Sequence, residues 1–394
     1  MGSHFAFKNE ELDGQVSRSM AASYYGAADL GEIYATAKTI DSSRAQVWWE
    51  QWATRAHRVA TDADASLVRG HDVSARDGYL RASEYYRQAF YFLRSDLDDP
   101  YLMKTYRKHR AAFAKAGPLL ACDAEVVAIP YTYEAGESTL HGWLWRPVGA
   151  RGPRPTLVMP CGYDSTAEAG WVNAPAALDR GYNVLSIEGP GQGKSLYEDR
   201  LYFRPDFEAV LTPVIDWLVR RDDVDAERIA LFGRSFAGYL SPRAATVEHR
   251  IAALVCDPAQ PDMGAKIPGG LVGKVAAPAM TAASALSEHR QEFFGSRMAS
   301  HGVETIGAYF DELKKYTMLA AAGEITCPTL IIESPGDPVG GGGESLFEAL
   351  TVENKHLIAP EPESGIYGHC GGLGQRVWER LVYDWLDEVL TPNA

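Results

Sequence analysis

The chain lacks several features that would narrow its class. No stretch approaches the roughly twenty consecutive apolar residues needed to cross a bilayer. The amino end has no basic region followed by an apolar core, so no secretory signal is expected. Cysteine is scarce: Cys122, Cys161, Cys256, Cys327 and Cys370 are odd in number and none forms a C-x-x-C pair. That excludes a disulfide framework or a zinc ribbon and points to a reducing, cytoplasmic setting. The ten histidines show no H-E-x-x-H and no paired spacing, so neither a metal nor any other cofactor is expected. Positive charge is in deficit, 38 Lys and Arg against 52 Asp and Glu. A net charge of −14 argues against nucleic acid or an anionic membrane as partner and leaves a small-molecule substrate.

What is present is a globular composition, 46% apolar and 23% charged over 394 residues, enough for one large domain and a smaller one. Residues 1–120 read as a helical domain. Ser74 is placed to cap a helix running to about Leu93, with Tyr79, Tyr86, Phe90 and Leu93 on one face, and Asp98-Asp99-Pro100 stops it. Trp48, Trp49 and Trp52 lie on an earlier helix, as core packing or as the lining of a cleft. From residue 121 the pattern changes. Glu125–Ile129 and Leu140–Trp145 flank a turn and suggest a hairpin. Strands at Thr156–Met159, Tyr182–Ile187, Ile229–Phe232, Ile251–Cys256, Thr329–Glu333 and His356–Ala359 then alternate with helices, of which Asp206–Arg221 and Arg376–Leu390 are the longest. That alternation predicts an α/β domain over 121–394, a mainly parallel sheet with helices on both faces. Residues 259–324 carry no strand signal and read as a helical insertion opening with the Gly264–Gly273 region.

The most informative stretch is Arg228–Gly238. Ile229 to Phe232 form a short apolar strand, and Gly233-Arg234-Ser235-Phe236-Ala237-Gly238 then turns into a small-residue segment suited to a helix start. This is a nucleophile elbow, G-x-S-x-G, with Ala237 in place of the second Gly and Gly238 one position later. Small flanking residues let the backbone bend sharply and leave the Ser235 oxygen exposed above the sheet. A serine nucleophile needs a base, and His369 lies in a Gly-rich loop after the last strand. His249 and His356 fit structural roles. The base needs an orienting acid. Asp337, in Gly336-Asp337-Pro338 after a buried strand, is favoured, and Asp257, also at a strand end, competes. The backbone N–H of Phe236 and that of Tyr163, beside Gly162, are the expected oxyanion donors. Glu188-Gly189-Pro190-Gly191-Gln192-Gly193-Lys194-Ser195 ends like a phosphate loop, but Glu188 stands where the first Gly is required and would repel phosphate.

The chain order Ser235, Asp337, His369 is that of the α/β-hydrolases. Together with Ala82-Ser83-Glu84-Tyr85-Tyr86-Arg87, Gly162-Tyr163-Asp164-Ser165, Gly189-Pro190-Gly191-Gln192-Gly193 and Gly368-His369-Cys370, it resembles the two-domain α/β-hydrolases with a helical N-terminal domain. That group includes dihydroxypseudooxynicotine hydrolase and fungal polyketide-shortening pigment hydrolases. The resemblance implies Ser235 as nucleophile, His369 as base, Asp337 as acid, and a homodimer. The expected reaction is hydrolysis of a C–C or ester bond beside a carbonyl in a medium-sized aromatic or polyketide-like molecule. Trp48, Trp49, Tyr309, Phe310 and Tyr316 are candidate pocket residues. Two alternatives stay open: cyclase, acyltransferase or lyase chemistry with the same residues, and a non-catalytic ligand-binding role.

Overall fold

A computed structural model describes residues 4–42, 44–134, 136–149, 151–267, 278–282, 284 and 287–391. The chain forms two compact units. The first comprises Met1–Ala121 with Lys274–Ala299 and Val303–Ile306; the second comprises Cys122–Gly273, Ser300–Gly302 and Gly307–Ala394.

The first unit is helical: α1 (Glu10–Ala22), α2 (Leu30–Ala37), α3 (Ala45–Val68), α4 (Asp72–Phe90) and α5 (Pro100–Ala116). Side chains set the starts. Asn9 accepts from the N–H groups of Glu11 and Leu12, and Asp99 from those of Tyr101 and Leu102, with Pro100 in the first turn where no N–H is needed. The helix expected to be capped by Ser74 has His71 at its cap position, three residues earlier, and its last turn tightens into a 3-10 turn, Tyr91–Leu93. From Tyr79 onward every residue of α4 except Arg81 is buried, so α4 is the centre of this unit. It carries a buried ion pair, in which Arg87 donates to both carboxylate oxygens of Glu84 at 2.7 Å and Ser19 adds a third bond at 2.5 Å. Burial pushes the Glu84 carboxyl up, but Arg87 and Ser19 outweigh it and hold it below the usual range. The Ala82–Arg87 motif is thus internal scaffolding. Later in the chain, helix Glu288–His301 contributes Glu292, which accepts the backbone N–H groups of Arg94 at 2.7 Å and Ser95 at 3.1 Å. Of the 259–324 stretch, expected to belong with the sheet, Lys274–Ala299 and Val303–Ile306 group with the N-terminal helices, and the rest belongs to the second unit. Of the Gly264–Gly273 region, 268–273 lie outside the described residues.

The second unit is built on an eight-stranded sheet: β1 (Asp123–Tyr133), β2 (Gly136–Arg146), β3 (Arg154–Pro160), β4 (Asn183–Ile187), β5 (Val224–Arg234), β6 (Ala253–Asp257), β7 (Thr329–Ile332) and β8 (Lys355–Ile358). The spatial order is β1-β2-β4-β3-β5-β6-β7-β8. The β1–β2 hairpin and the β2–β4 pair are antiparallel, and every other pairing is parallel. The elbow strand runs longer than its apolar run suggests, because Val224 pairs with Arg154 beyond a register shift. β4, β6 and β7 are buried along their whole length, as strands covered on both faces must be.

Strand order reverses at β3. The β3-to-β4 connection, carrying α6 (Ala174–Leu178), runs one way. The β4-to-β5 connection, carrying α7 (Gly193–Tyr197) and α8 (Glu208–Leu218), runs the other, as does the β5-to-β6 connection through α9 (Ala237–Ala245). Right-handed crossovers therefore put α6 on one face and α8 and α9 on the other. The last helix, Gln375–Leu390, returns to the α6 side, where the Tyr383 hydroxyl donates to the carbonyl of Asn173 at 3.0 Å. Among the described residues no helix is long and apolar enough to cross a membrane.

Candidate active site

The loops at the carboxyl ends of β3 through β8 converge at the switch point, where ligands bind in open α/β sheets. Ser235 follows β5 directly and holds φ at +57°, a left-handed conformation costly for a residue with a Cβ. Its surroundings enforce the bend. Ser235 donates its N–H to the carbonyl of Asp257 at 2.8 Å, and its own carbonyl accepts from Gln260 at 2.7 Å. A side chain at Gly238 would begin 1.9 Å from the carbonyl oxygen of Pro258, which explains why glycine stands one position later than the usual pattern.

His369 Nε2 lies 2.9 Å from Ser235 Oγ, and its Nδ1 lies 3.0 Å from both carboxylate oxygens of Asp337. The fully enclosed Asp337 carboxylate also accepts the N–H groups of Val339 at 2.9 Å and Cys370 at 3.0 Å. Burial pushes the Asp337 carboxyl up, but the imidazole and these donors outweigh it and hold it below its ordinary value. For His369, desolvation works against the charged ring; the neighbouring Cys370 sulfur and the Asp337 carboxylate outweigh it and hold the imidazole well above the ordinary histidine value. The competing acid, Asp257, does not reach His369. Its carboxylate is buried at the end of β6, 3.8 Å from Arg234, and desolvation pushes it up to about 6. His249 bonds the carbonyl of Thr246 and His356 the side chain of Asn354, local contacts with no link to this site.

The β3 loop lies against the elbow. A side chain on Gly162 would start 3.1 Å from Ser235 Cβ and crowd the nucleophile, so glycine suits this close approach. Gln192 braces the loop from the β4 side: its amide donates to the carbonyl of Cys161, and its oxygen accepts the N–H of Gly189 at 2.7 Å. The phosphate-loop look-alike has a structural use. The buried Glu188 carboxylate accepts the N–H groups of Lys194, at the start of α7, and Ala167, at 2.7 and 2.9 Å. The chain's own carboxylate occupies the anion position.

The Tyr163 ring stacks on Phe236 with centroids 4.0 Å apart and planes at 30°. Tyr316 is fully buried against Phe236 at 5.6 Å and Tyr239 at 5.1 Å, and Tyr309 packs on His301 at 5.4 Å with half-buried Phe310 beside it. These three pocket candidates therefore join one aromatic cluster with the expected oxyanion residues. Trp48 and Trp49 do not belong to it. Trp48 is buried in the helical unit, donates to the carbonyl of Gln88 at 2.7 Å and packs on Phe7, Trp52 and Phe92. Trp49 donates to Thr105 at 2.9 Å and packs on Tyr101. The core reading matches Trp48, whereas Trp49 is half-buried and packs on the exposed Tyr101.

Three contributors have no role assigned from sequence. Arg234 ties Asn173 to the carbonyl of Cys370. Phe203 and His301 complete the aromatic cluster. Among the described residues, Asp337, His369 and Cys370 form one group with ligand atoms within 4.8 Å that could hold a metal ion, but its carboxylate and imidazole are already bonded to each other.

The X-Pro dipeptidyl-peptidase (S15 family) model matches residues 136–362. The chain is 30% identical over 398 residues to hydrolase phmG of Phaeosphaeria nodorum, covering 94% of this chain and 87% of that protein. It is 29% identical to the 20-hydroxy-prefusarin hydrolase FUS2 of Gibberella moniliformis, covering 98% and 97%. Against hydrolase acrC of Aspergillus aculeatus identity reaches 37%, but the match covers 61% of this chain and 60% of that protein. Among solved structures, 2,6-dihydroxy-pseudo-oxynicotine hydrolase shares the fold, with a TM-score of 0.76 at 21% identity, covering 94% of this chain and 96% of that one.

Proposed function

Because this chain belongs to the α/β-hydrolases, within the family of the X-Pro dipeptidyl-peptidase (S15) model, we propose that it is a serine-nucleophile hydrolase that cleaves a bond beside a carbonyl in a medium-sized aromatic or polyketide-like molecule. The observation that carries this reading is the Ser235–His369–Asp337 chain of hydrogen bonds, at 2.9 and 3.0 Å, with the nucleophile on a strained turn. Ser235 Oγ attacks the carbonyl carbon as His369 Nε2 takes its proton. Asp337 keeps the ring oriented and favours its protonated form. The N–H groups of Phe236 and Tyr163 receive the oxyanion. The intermediate collapses and His369 returns the proton to the leaving group; water, deprotonated by the same ring, then attacks the acyl carbon, and the ring gives that proton to Ser235 Oγ as the acid leaves.

Two observations support the substrate class. The side chains flanking the proposed oxyanion donors are aromatic, which suits a flat, carbon-rich ligand. The arginines near the elbow are already committed, Arg243 to Glu208 and Arg234 to Asn173 and Cys370, which leaves neither as a phosphate clamp. The Gibberella relative, named as a 20-hydroxy-prefusarin hydrolase, favours the same class. Breaking a C–C bond further requires a leaving carbanion stabilised by a second carbonyl or an electron-poor ring, whereas an ester does not. A β-diketone and an ester of matched size, each incubated in oxygen-18 water with products identified by mass spectrometry, test the reading. Label in the product acid is expected. Unlabelled, rearranged product would replace hydrolysis with cyclase, transferase or lyase chemistry, and ester cleavage without diketone turnover would rule out the C–C reaction.

A further inference from the structure

His301 sits at the last residue of helix Glu288–His301, 6% exposed, and its position relative to the two proposed oxyanion donors is specific. Its Nε2 lies 2.5 Å from the Tyr163 hydroxyl. Its ring centroid lies 5.6 Å from that of Tyr163 and 6.1 Å from that of Phe236. Those residues stack on each other, and Phe203 closes the group at 5.3 Å from His301. The backbone just before His301 is tied to the same cluster, since the carbonyl of Ser300 accepts the N–H of Phe203 at 2.9 Å.

We infer that His301 is a positioning residue for the oxyanion hole, holding the β3 loop through the Tyr163 hydroxyl so that the N–H groups of Tyr163 and Phe236 point at one oxygen. The inference rests on the reading of Ser235 as nucleophile. Its physical basis is the loop's composition. Gly162, pressed on Ser235, has no side chain with which to fix the backbone, and Gln192 holds only the carbonyl of Cys161 before it. On the far side of Gly162, the Tyr163 side chain is the next handle. Ring stacking sets its distance from Phe236 but leaves the ring free to slide in its own plane. A short hydrogen bond at the phenol end removes that freedom. Oxyanion donors act only when preorganised, and displacements of about 1 Å cost up to about a hundredfold in rate.

The test is the rate at which a fluorophosphonate probe modifies Ser235, because its phosphoryl oxygen occupies the oxyanion position. Tyr163→Phe removes one oxygen and keeps the ring stack. It is expected to lower the maximal labelling rate about tenfold or more while the half-saturating probe concentration stays within about twofold. His301→Phe should do the same. His301→Gln, whose amide reaches the place of Nε2, should recover labelling to within about threefold of wild type. The double variant Tyr163→Phe/His301→Phe should label no more slowly than the slower single variant, because one bond is lost in all three. Equal melting temperatures would separate these effects from unfolding. Singles within twofold of wild type, additive losses in the double variant, or a loss confined to probe binding would overturn the inference alone. A wild-type protein that the probe leaves unmodified would overturn the nucleophile reading, and the inference with it.

Discussion

Arg234 and Cys370, each adjacent in sequence to a residue of the proposed catalytic group, are joined by a hydrogen bond from the guanidinium Nη2 to the backbone carbonyl. Ser235 follows Arg234 and His369 precedes Cys370, so this bond ties the nucleophile's strand to the base's loop. The same guanidinium donates to Asn173 at 2.6 Å and stacks over Trp378 at 5.0 Å. Cys370 is held with φ at +50°, and the bond spans a backbone that would otherwise relax.

Arg234→Met keeps the aliphatic stem and removes the donors. The variant is expected to lose about 2 kcal/mol of stability, the usual worth of charged hydrogen bonds with little exposure, and at least about tenfold in kcat. Urea melts and steady-state kinetics check this. Unchanged kcat in a folded variant would show that the two loops hold their spacing without the guanidinium.

The rate should depend on pH in a defined direction. His369 must be neutral to accept the proton from Ser235, and its neighbours hold it well above the ordinary histidine value of 6.5. Activity should therefore fall with acid through a midpoint above 6.5, not at it. For stability the sign is opposite: a raised histidine contributes fully below its unfolded value and loses that contribution as pH rises through the folded one. Asp337→Asn removes the carboxylate that favours the charged ring, so the acid limb should move down in pH, with kcat reduced about a thousandfold or more. A pH–rate profile of both proteins decides it, and an acid limb that Asp337→Asn leaves in place would contradict the assignment of the acid.

Asp257 carries a cost that removing its charge would relieve. Its carboxyl titrates near 6 in the folded chain against an ordinary 3.8, chiefly through burial. The folded state binds the proton more tightly, so stability is greatest below the unfolded value and falls as pH rises from about 4 to about 6. About two pKa units correspond to roughly 3 kcal/mol at neutral pH. Asp257→Asn should therefore melt higher than wild type at pH 8 and flatten the pH dependence of melting between pH 4 and 6. A variant less stable than wild type at pH 8 would mean that the ion pair with Arg234, at 3.8 Å, outweighs desolvation.

Some of this molecule could be read from sequence because local chemistry dictates it. Apolar runs of strand length alternating with helical periodicity specify a covered parallel sheet, and small residues around Ser235 specify the elbow. The acid was ambiguous, since Asp257 and Asp337 both end buried strands; only the path of the Gly336–Pro338 loop brings one of them to His369. Trp48 and Trp49 look alike in sequence whether a helix face packs on other helices or on a ligand. His301 carried no local signal. It stands between Ser300 and Gly302 at the end of a helix inside the 259–324 insertion, 138 positions from the tyrosine it bonds. A contact of that kind is a product of packing, not of motif.

The most direct test of the central claim is peptide mapping after fluorophosphonate treatment of the wild-type protein and of Ser235→Ala. Wild type is expected to carry one phosphonyl group, on the peptide containing Ser235, with hydrolase activity lost in step with labelling, and Ser235→Ala should carry none. A label on another residue, or full activity in Ser235→Ala, would contradict the account.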